Sequence, residues 1–82
     1  MEIVSIGHNN YIPKGKISAI LQINSRPIKK LLSNAGKTDK LIDASNGKRR
    51  KSVIITTDGY VLLSSIAPKT LADRFQDNVD EE

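Results

Sequence analysis

Residues 52–66 read Ser52-Val53-Ile54-Ile55-Thr56-Thr57-Asp58-Gly59-Tyr60-Val61-Leu62-Leu63-Ser64-Ser65-Ile66. The runs 53–55 and 61–63 are apolar with no polar residue in alternation, and each is too short for a buried helix. Asp58-Gly59 between them is a hairpin signal, because glycine takes the left-handed backbone that a tight turn needs. Two such strands, apolar on both faces, belong at the centre of a sheet covered on both sides. The flanking chain must then supply edge strands and covering elements.

Upstream, Leu41-Ile42-Asp43-Ala44 reads as a short strand, and Ser45-Asn46-Gly47 as a turn of hairpin type. From it Lys48-Arg49-Arg50-Lys51 leads into the strand at Ser52. Alternation would put Lys48 and Arg50 on one face, Arg49 and Lys51 on the other. Before this comes the clearest helix. Ser25 is its N-cap candidate and Pro27 sits in the first turn, where a missing N–H costs nothing. Ile28, Leu31, Leu32 and Ala35 form one apolar stripe, and Gly36 supplies a stop. The β-branched run Ile17–Ile23 reads as a strand. So does Glu2–Ile6, closed by the turn-prone Gly7-His8-Asn9-Asn10, with Tyr11-Ile12 as an extension past a bend. Downstream, Pro68 opens a second helix with Leu71, Ala72 and Phe75 on one side. The expected order is β-β-α-β-β-β-α, an α+β fold with a mainly antiparallel sheet and two short helices. Residues 1–76 make one domain. Residues 77–82, with four acids and no base, read as a frayed tail. That tail is either a solubilising end or a phosphate mimic competing for basic residues elsewhere.

The chain has 82 residues, 38% hydrophobic, 27% charged and only 4% aromatic, so Ile, Leu, Val and Ala must build the core. A domain of this size buries only roughly 60% of its unfolded surface. Cys is absent and His occurs once, which excludes disulfides and a zinc centre as staples. Oligomerisation is the remaining way to gain burial. No basic segment precedes an apolar run as in a signal peptide, and the longest apolar-rich uncharged stretch, Ile17–Ile23, falls far short of a membrane span. The expectation is a cytoplasmic protein without a membrane partner.

Chemistry-bearing motifs are few. His8 lies in a turn without a local carboxylate or Cys partner. Gly36-Lys37-Thr38 imitates the end of a phosphate-binding loop, but position 31, where that motif needs glycine, is Leu31. Ser45-Asn46-Gly47-Lys48 fits a Ser-x-x-Lys pattern without the further motifs that acyl enzymes require. Nothing supports Asp39 and Asp43 as an acid–base pair or metal site. The reading is therefore non-enzymatic, with no cofactor and no small-molecule ligand evident.

Charge is the informative feature. Residues 14–51 hold eleven Lys or Arg against two acids, Asp39 and Asp43. Lys48, Arg49, Arg50 and Lys51 are adjacent, and mutual repulsion makes such a run costly unless it meets phosphates, where counterion release drives binding. A soluble hairpin tip that blunts an edge strand is the plain alternative. Lys14, Lys16, Arg26, Lys29 and Lys30 add basic charge nearby in sequence; those at the helix start oppose its dipole. Few aromatics are available for base stacking, which favours duplex DNA over single-stranded RNA.

Several segments together resemble the RemA-type extracellular matrix regulators: Ile6-Gly7-His8-Asn9-Asn10, Pro27-Ile28-Lys29-Lys30, Leu41-Ile42-Asp43-Ala44, Gly47-Lys48-Arg49, Ser52-Val53-Ile54-Ile55 and the stretch from Ser64 to Leu71. The likeness runs from about Ile3 to Phe75. It implies a bacterial DNA-binding transcriptional regulator acting at the nucleoid, linked in characterised relatives to biofilm-matrix genes and osmoprotection. It also implies a ring-like homo-oligomer around which DNA wraps. The family's paired Arg after the glycine turn, important for DNA binding, match Lys48 and Arg49. A further family Arg matches Lys16, and the helix-start Pro matches Pro27. Lys at 48 and 16 keeps the charge but loses the bidentate fork, and Arg50 stands where relatives often have an uncharged residue. The expected duplex-DNA contacts are thus Lys48, Arg49, Arg50 and Lys51, then Lys16 and Lys14, then Arg26, Lys29 and Lys30. Alternative readings are an RNA-binding post-transcriptional regulator, or an oligomeric scaffold for an acidic protein.

Overall fold

Val53 and Ile54, neighbours in the chain, are both fully buried, so the strand that carries them is covered on its two faces. The computed structural model describes residues 2–76, and the reading of 77–82 as an acidic tail lies outside them. Among the described residues the order is β1 (Ile3–Gly7), β2 (Asn10–Pro13), β3 (Ile17–Gln22), α1 (Arg26–Lys37), β4 (Leu41–Asp43), β5 (Ser52–Thr56), β6 (Val61–Ser64) and α2 (Pro68–Gln76). Lys14–Lys16 between β2 and β3 form a 3-10 turn.

β3, β5, β6 and β4 make one four-stranded sheet in that spatial order, with β1 and β2 as a separate antiparallel pair. β5 is antiparallel to β3 and to β6, while β4 lies parallel to β6. β3 and β4 therefore run the same way at opposite edges, joined through α1, with the β5–β6 hairpin between them. This is a split β-α-β unit. The two central strands are the pair expected from residues 53–55 and 61–63, and the α+β class holds.

Alternation in the central strands separates two cores. Val53, Val61 and Leu63 pack with Ile28 and Ala35 of α1. Ile54 and Leu62 face the other way and pack with Val4, Ile6 and Ile12 of the β1–β2 pair and with Leu71 and Phe75 of α2. Two polar links fix this second cover: the buried Ser64 hydroxyl donates to the Ile6 carbonyl at 2.8 Å, and Arg74 Nη1 donates to the Ser5 carbonyl at 3.0 Å.

Four expectations need correction. Tyr11-Ile12 does not extend the first strand past a bend; it returns antiparallel as β2, with Val4 opposite Ile12. His8 and Asn9 both adopt positive φ, at 54° and 66°, which is the two-residue turn that reverses a strand. The helix does not stop at Gly36. It continues to Lys37 and ends where Asp39 takes φ 60° and the Lys40 amide returns to the Ala35 carbonyl at 2.9 Å, a Schellman-type closure. β4 and β5 do not form a hairpin. The turn at Asn46-Gly47 forms, with φ 55° and 79° and Lys48 N–H donating to the Ser45 carbonyl at 3.0 Å. The chain leaving it instead crosses the end of β6, where the Lys51 amide meets the Ser64 carbonyl at 2.8 Å. The tight hairpin through Asp58-Gly59 has already placed β5 against one side of β6, so β4 takes the other. Lys48–Lys51 consequently lie in irregular chain, not at the head of a strand, and their expected alternation between faces is lost.

Candidate functional site

The connection 44–51 and the start of α1 meet at the end of the sheet. Lys48, Arg49 and Arg50 from the connection, with Lys29, Leu32, Ile23, Asn24 and Gly47, line an open cleft of about 490 Å³. Four cations from two elements, nineteen positions apart in sequence between Lys29 and Lys48, thus surround one concavity. Its apolar floor comes from Ile23 and Leu32.

The backbone that presents them is well anchored. Ala44 N–H donates to the Leu63 carbonyl at 2.8 Å, extending the β4–β6 pairing by one residue. At the far end, Lys51 bridges two strands: its amide reaches Ser64 and its carbonyl accepts from Ile23 N–H at 3.3 Å. Where β4 leads into the connection, Asp43 Oδ1 accepts from the Ser45 amide at 2.9 Å and the Ser45 hydroxyl at 2.6 Å, and Asp43 Oδ2 lies 3.1 Å from Arg50 Nη2. The Ser45 hydroxyl, then its amide, hold the Asp43 carboxyl below the ordinary aspartate value; partial burial opposes them and Arg50 adds to them.

The remaining expected residues lie elsewhere. Lys14 pairs with Glu2 at 3.8 Å and Lys16 with Asp58 at 3.7 Å. Lys16 lines a second, apolar groove of about 280 Å³ with Ile12, Pro13, Ile42, Thr56, Asp58, Tyr60 and Leu62. Within one subunit these two lysines are not brought to the basic cleft. Arg26 and Lys30 are exposed on α1 and Lys51 is exposed at the end of the connection, but none of the three lines the cleft. His8 sits in the β1–β2 turn with Nε2 3.2 Å from Ser65 Oγ. Sequence reading missed Asp43, which it set aside as half of an unsupported acid pair. The signal was Asp43-Ala44-Ser45, an aspartate positioned to accept from the chain two residues on.

The fold and cleft define a small α+β module that presents a fixed cationic cleft. Its relatives give the family. The chain matches, over residues 3–75, the family model described as RemA-like, extracellular matrix regulatory protein A-like, and it belongs to that family. It is 44% identical over 73 residues to a protein of Synechococcus sp. (strain JA-2-3B'a(2-13)), covering 89% of this chain and 82% of the relative. It is 39% identical over 80 residues to one of Acaryochloris marina, covering 98% and 91%. A Geobacillus thermodenitrificans relative is 38% identical over 84 residues, covering 100% and 97%. All three are named as regulatory proteins. Among the described residues, no helix is long and apolar enough to cross a membrane.

Proposed function

We propose that this protein is a non-enzymatic transcriptional regulator that binds duplex DNA through its basic cleft, repeated around a homo-oligomer. The observation that carries the reading is the convergence of Lys29 with Lys48, Arg49 and Arg50 on one cleft. Opposed cations on a fixed scaffold suit a phosphate backbone, whose condensed counterions are released when Lys or Arg replace them. Aromatic placement argues against base stacking: Tyr60 lines the other groove, and neither Tyr11 nor Phe75 lines the cleft. Arg49 is the one residue of the matched pair that keeps the guanidinium fork for phosphate or base edges. Lys14, Lys16, Arg26, Lys30 and Lys51 add to the field and contact DNA where it bends past one subunit.

A single cleft offers few contacts, so useful affinity requires several copies on one duplex. The exposed apolar side chains Ile42, Tyr60, Tyr11 and Ile3 are the surface such an assembly would cover. A ring acting on biofilm-matrix genes at the nucleoid is the form the family likeness favours. Anisotropy on a fluorescent duplex of about 40 base pairs across a salt series tests the reading. Steep loss of affinity with salt, near 0.9 in the logarithmic slope per phosphate, is expected. No binding at low salt refutes it.

A further inference from the structure

Arg50 is not equivalent to its neighbours. Among the described residues, it is the cation of the run 48–51 that has a carboxylate partner, Asp43 at 3.1 Å, while Lys48, Arg49 and Lys51 make no ion pair. Asp43 itself is the last residue of β4 and is held in register opposite Leu63. One of its oxygens takes both the amide and the hydroxyl of Ser45, which is fully buried. The other reaches forward seven positions to Arg50. A single carboxylate therefore joins the two ends of the segment that presents Lys48 and Arg49.

We infer that Asp43 is a positioning residue for DNA, a clamp that works through Ser45 and Arg50 to hold Lys48 and Arg49 at the cleft. This rests on the DNA reading above and divides the basic run by role. Lys48 and Arg49 meet phosphate; Arg50 is chiefly a strut. Both ends of the clamp are short contacts on a segment already fixed at Ala44 and Lys51, so its loss frees the turn between them without unfolding the sheet.

Charge and positioning predict opposite signs for the loss of this carboxylate. Asp43→Asn removes a negative charge from a basic surface. If Asp43 merely repelled phosphate, affinity for duplex would rise. If it positions the cleft, affinity falls by about tenfold, comparable to ordering roughly one freed backbone residue on binding. Asp39→Asn is the electrostatic control: it removes the other acid of the basic stretch, one with no ion pair among the described residues, and Asn keeps the positive φ there. Duplex affinity would be measured for wild type, Asp39→Asn, Asp43→Asn, Arg50→Gln and the double variant Asp43→Asn/Arg50→Gln. Circular dichroism and light scattering would confirm that fold and assembly are unchanged.

The expected result is loss in Asp43→Asn, no loss in Asp39→Asn, and a double variant no weaker than the worse single one. A gain in Asp43→Asn, matching the control, overturns the inference; so does full additivity in the double variant. Hydrogen exchange at the Ser45 amide separates this failure from failure of the DNA reading. This readout uses Asp43→Ala, because Asn would keep the oxygen that accepts from Ser45; faster exchange in Asp43→Ala shows the clamp at work whether or not DNA binds. Wild type that binds no duplex, with that exchange still faster, refutes the DNA function alone. Unchanged exchange refutes the clamp.

Discussion

Arg49→Ala offers the sharpest test of the proposal that the cleft meets DNA phosphates. Arg49 lines the cleft, is exposed and makes no ion pair among the described residues, so truncation removes a free cation and leaves the anchored backbone in place. If each Arg49 meets one phosphate, every engaged subunit loses about 0.9 from the slope of log K against log salt. With four engaged clefts the slope falls by about 3.6. Each lost contact also removes a factor of about 3.5 from the salt-induced loss of affinity between 50 and 200 mM. The ratio of wild-type to variant affinity is therefore largest at low salt and narrows as salt rises. Anisotropy at five or six salt concentrations, with light scattering to show an intact assembly, measures this directly. Arg50→Ala provides the contrast: its charge is partly cancelled by Asp43, so affinity falls with a smaller change of slope. An unchanged slope in Arg49→Ala would refute direct phosphate contact by this residue, whatever happened to the affinity at one salt.

Three further outcomes follow from the geometry. Ile54→Ala removes a fully buried side chain between the central sheet and its hairpin cover, and thermal unfolding should show destabilisation of about 2–5 kcal/mol. Ile42, 46% exposed at the free edge of β4, should tolerate lysine in the folded subunit while the proposed assembly, if wild type forms it, dissociates; size-exclusion chromatography with light scattering reads the mass of both, and a wild-type oligomer whose mass the variant keeps removes this edge from its interface. The Ser45 hydroxyl and amide hold the Asp43 carboxyl below the ordinary aspartate value. The stability it lends the 44–51 connection is thus complete above the unfolded aspartate value, about 3.9. It disappears as pH falls through the lower folded value. Hydrogen exchange should find the Ser45 amide equally protected at pH 7 and 5, and opening only in stronger acid.

The central strands were legible because fifteen residues carry the information locally: two apolar runs and a turn that only certain residues can make. The stripe Ile28, Leu31, Leu32 and Ala35 was legible for the same reason. What escaped was pairing between distant segments. A tight Asn46-Gly47 turn forms whether or not strands flank it, so nothing local distinguished a hairpin from a crossing between strands. The end of α1 escaped because Asp39 can take the left-handed conformation that glycine takes more readily, and a nearer Gly36 drew the boundary inward. For the site, sequence supplied the cations but not their grouping. Lys29 joins Lys48 and Arg49 only because α1 and the 44–51 connection meet at the same end of the sheet, while Lys14 and Lys16 are carried to another face.

Two local penalties visible in the sequence turn out to share one place. The start of α1 carries Arg26, Lys29 and Lys30 with no acid in its first turn, against a dipole that disfavours cations there by about 0.3–1 kcal/mol each. The connection 44–51 sets four cations side by side, which repel one another. Either feature alone is an ordinary imperfection of a charged surface. Of these residues Lys29, Lys48, Arg49 and Arg50 converge on one cleft, which adds repulsion between the two elements to the penalty each carries alone. Conflicts of local preference that concentrate in space mark a position where something other than folding sets the residue choice. At this cleft only an anion reverses the sign of both penalties at once: it sits favourably at a helix start and converts the repulsion among Lys29, Lys48 and Arg49 into shared attraction. In the proposed assembly a polyanion would do so at every subunit together, which is why the proposed function names a nucleic acid backbone rather than a small anion bound once.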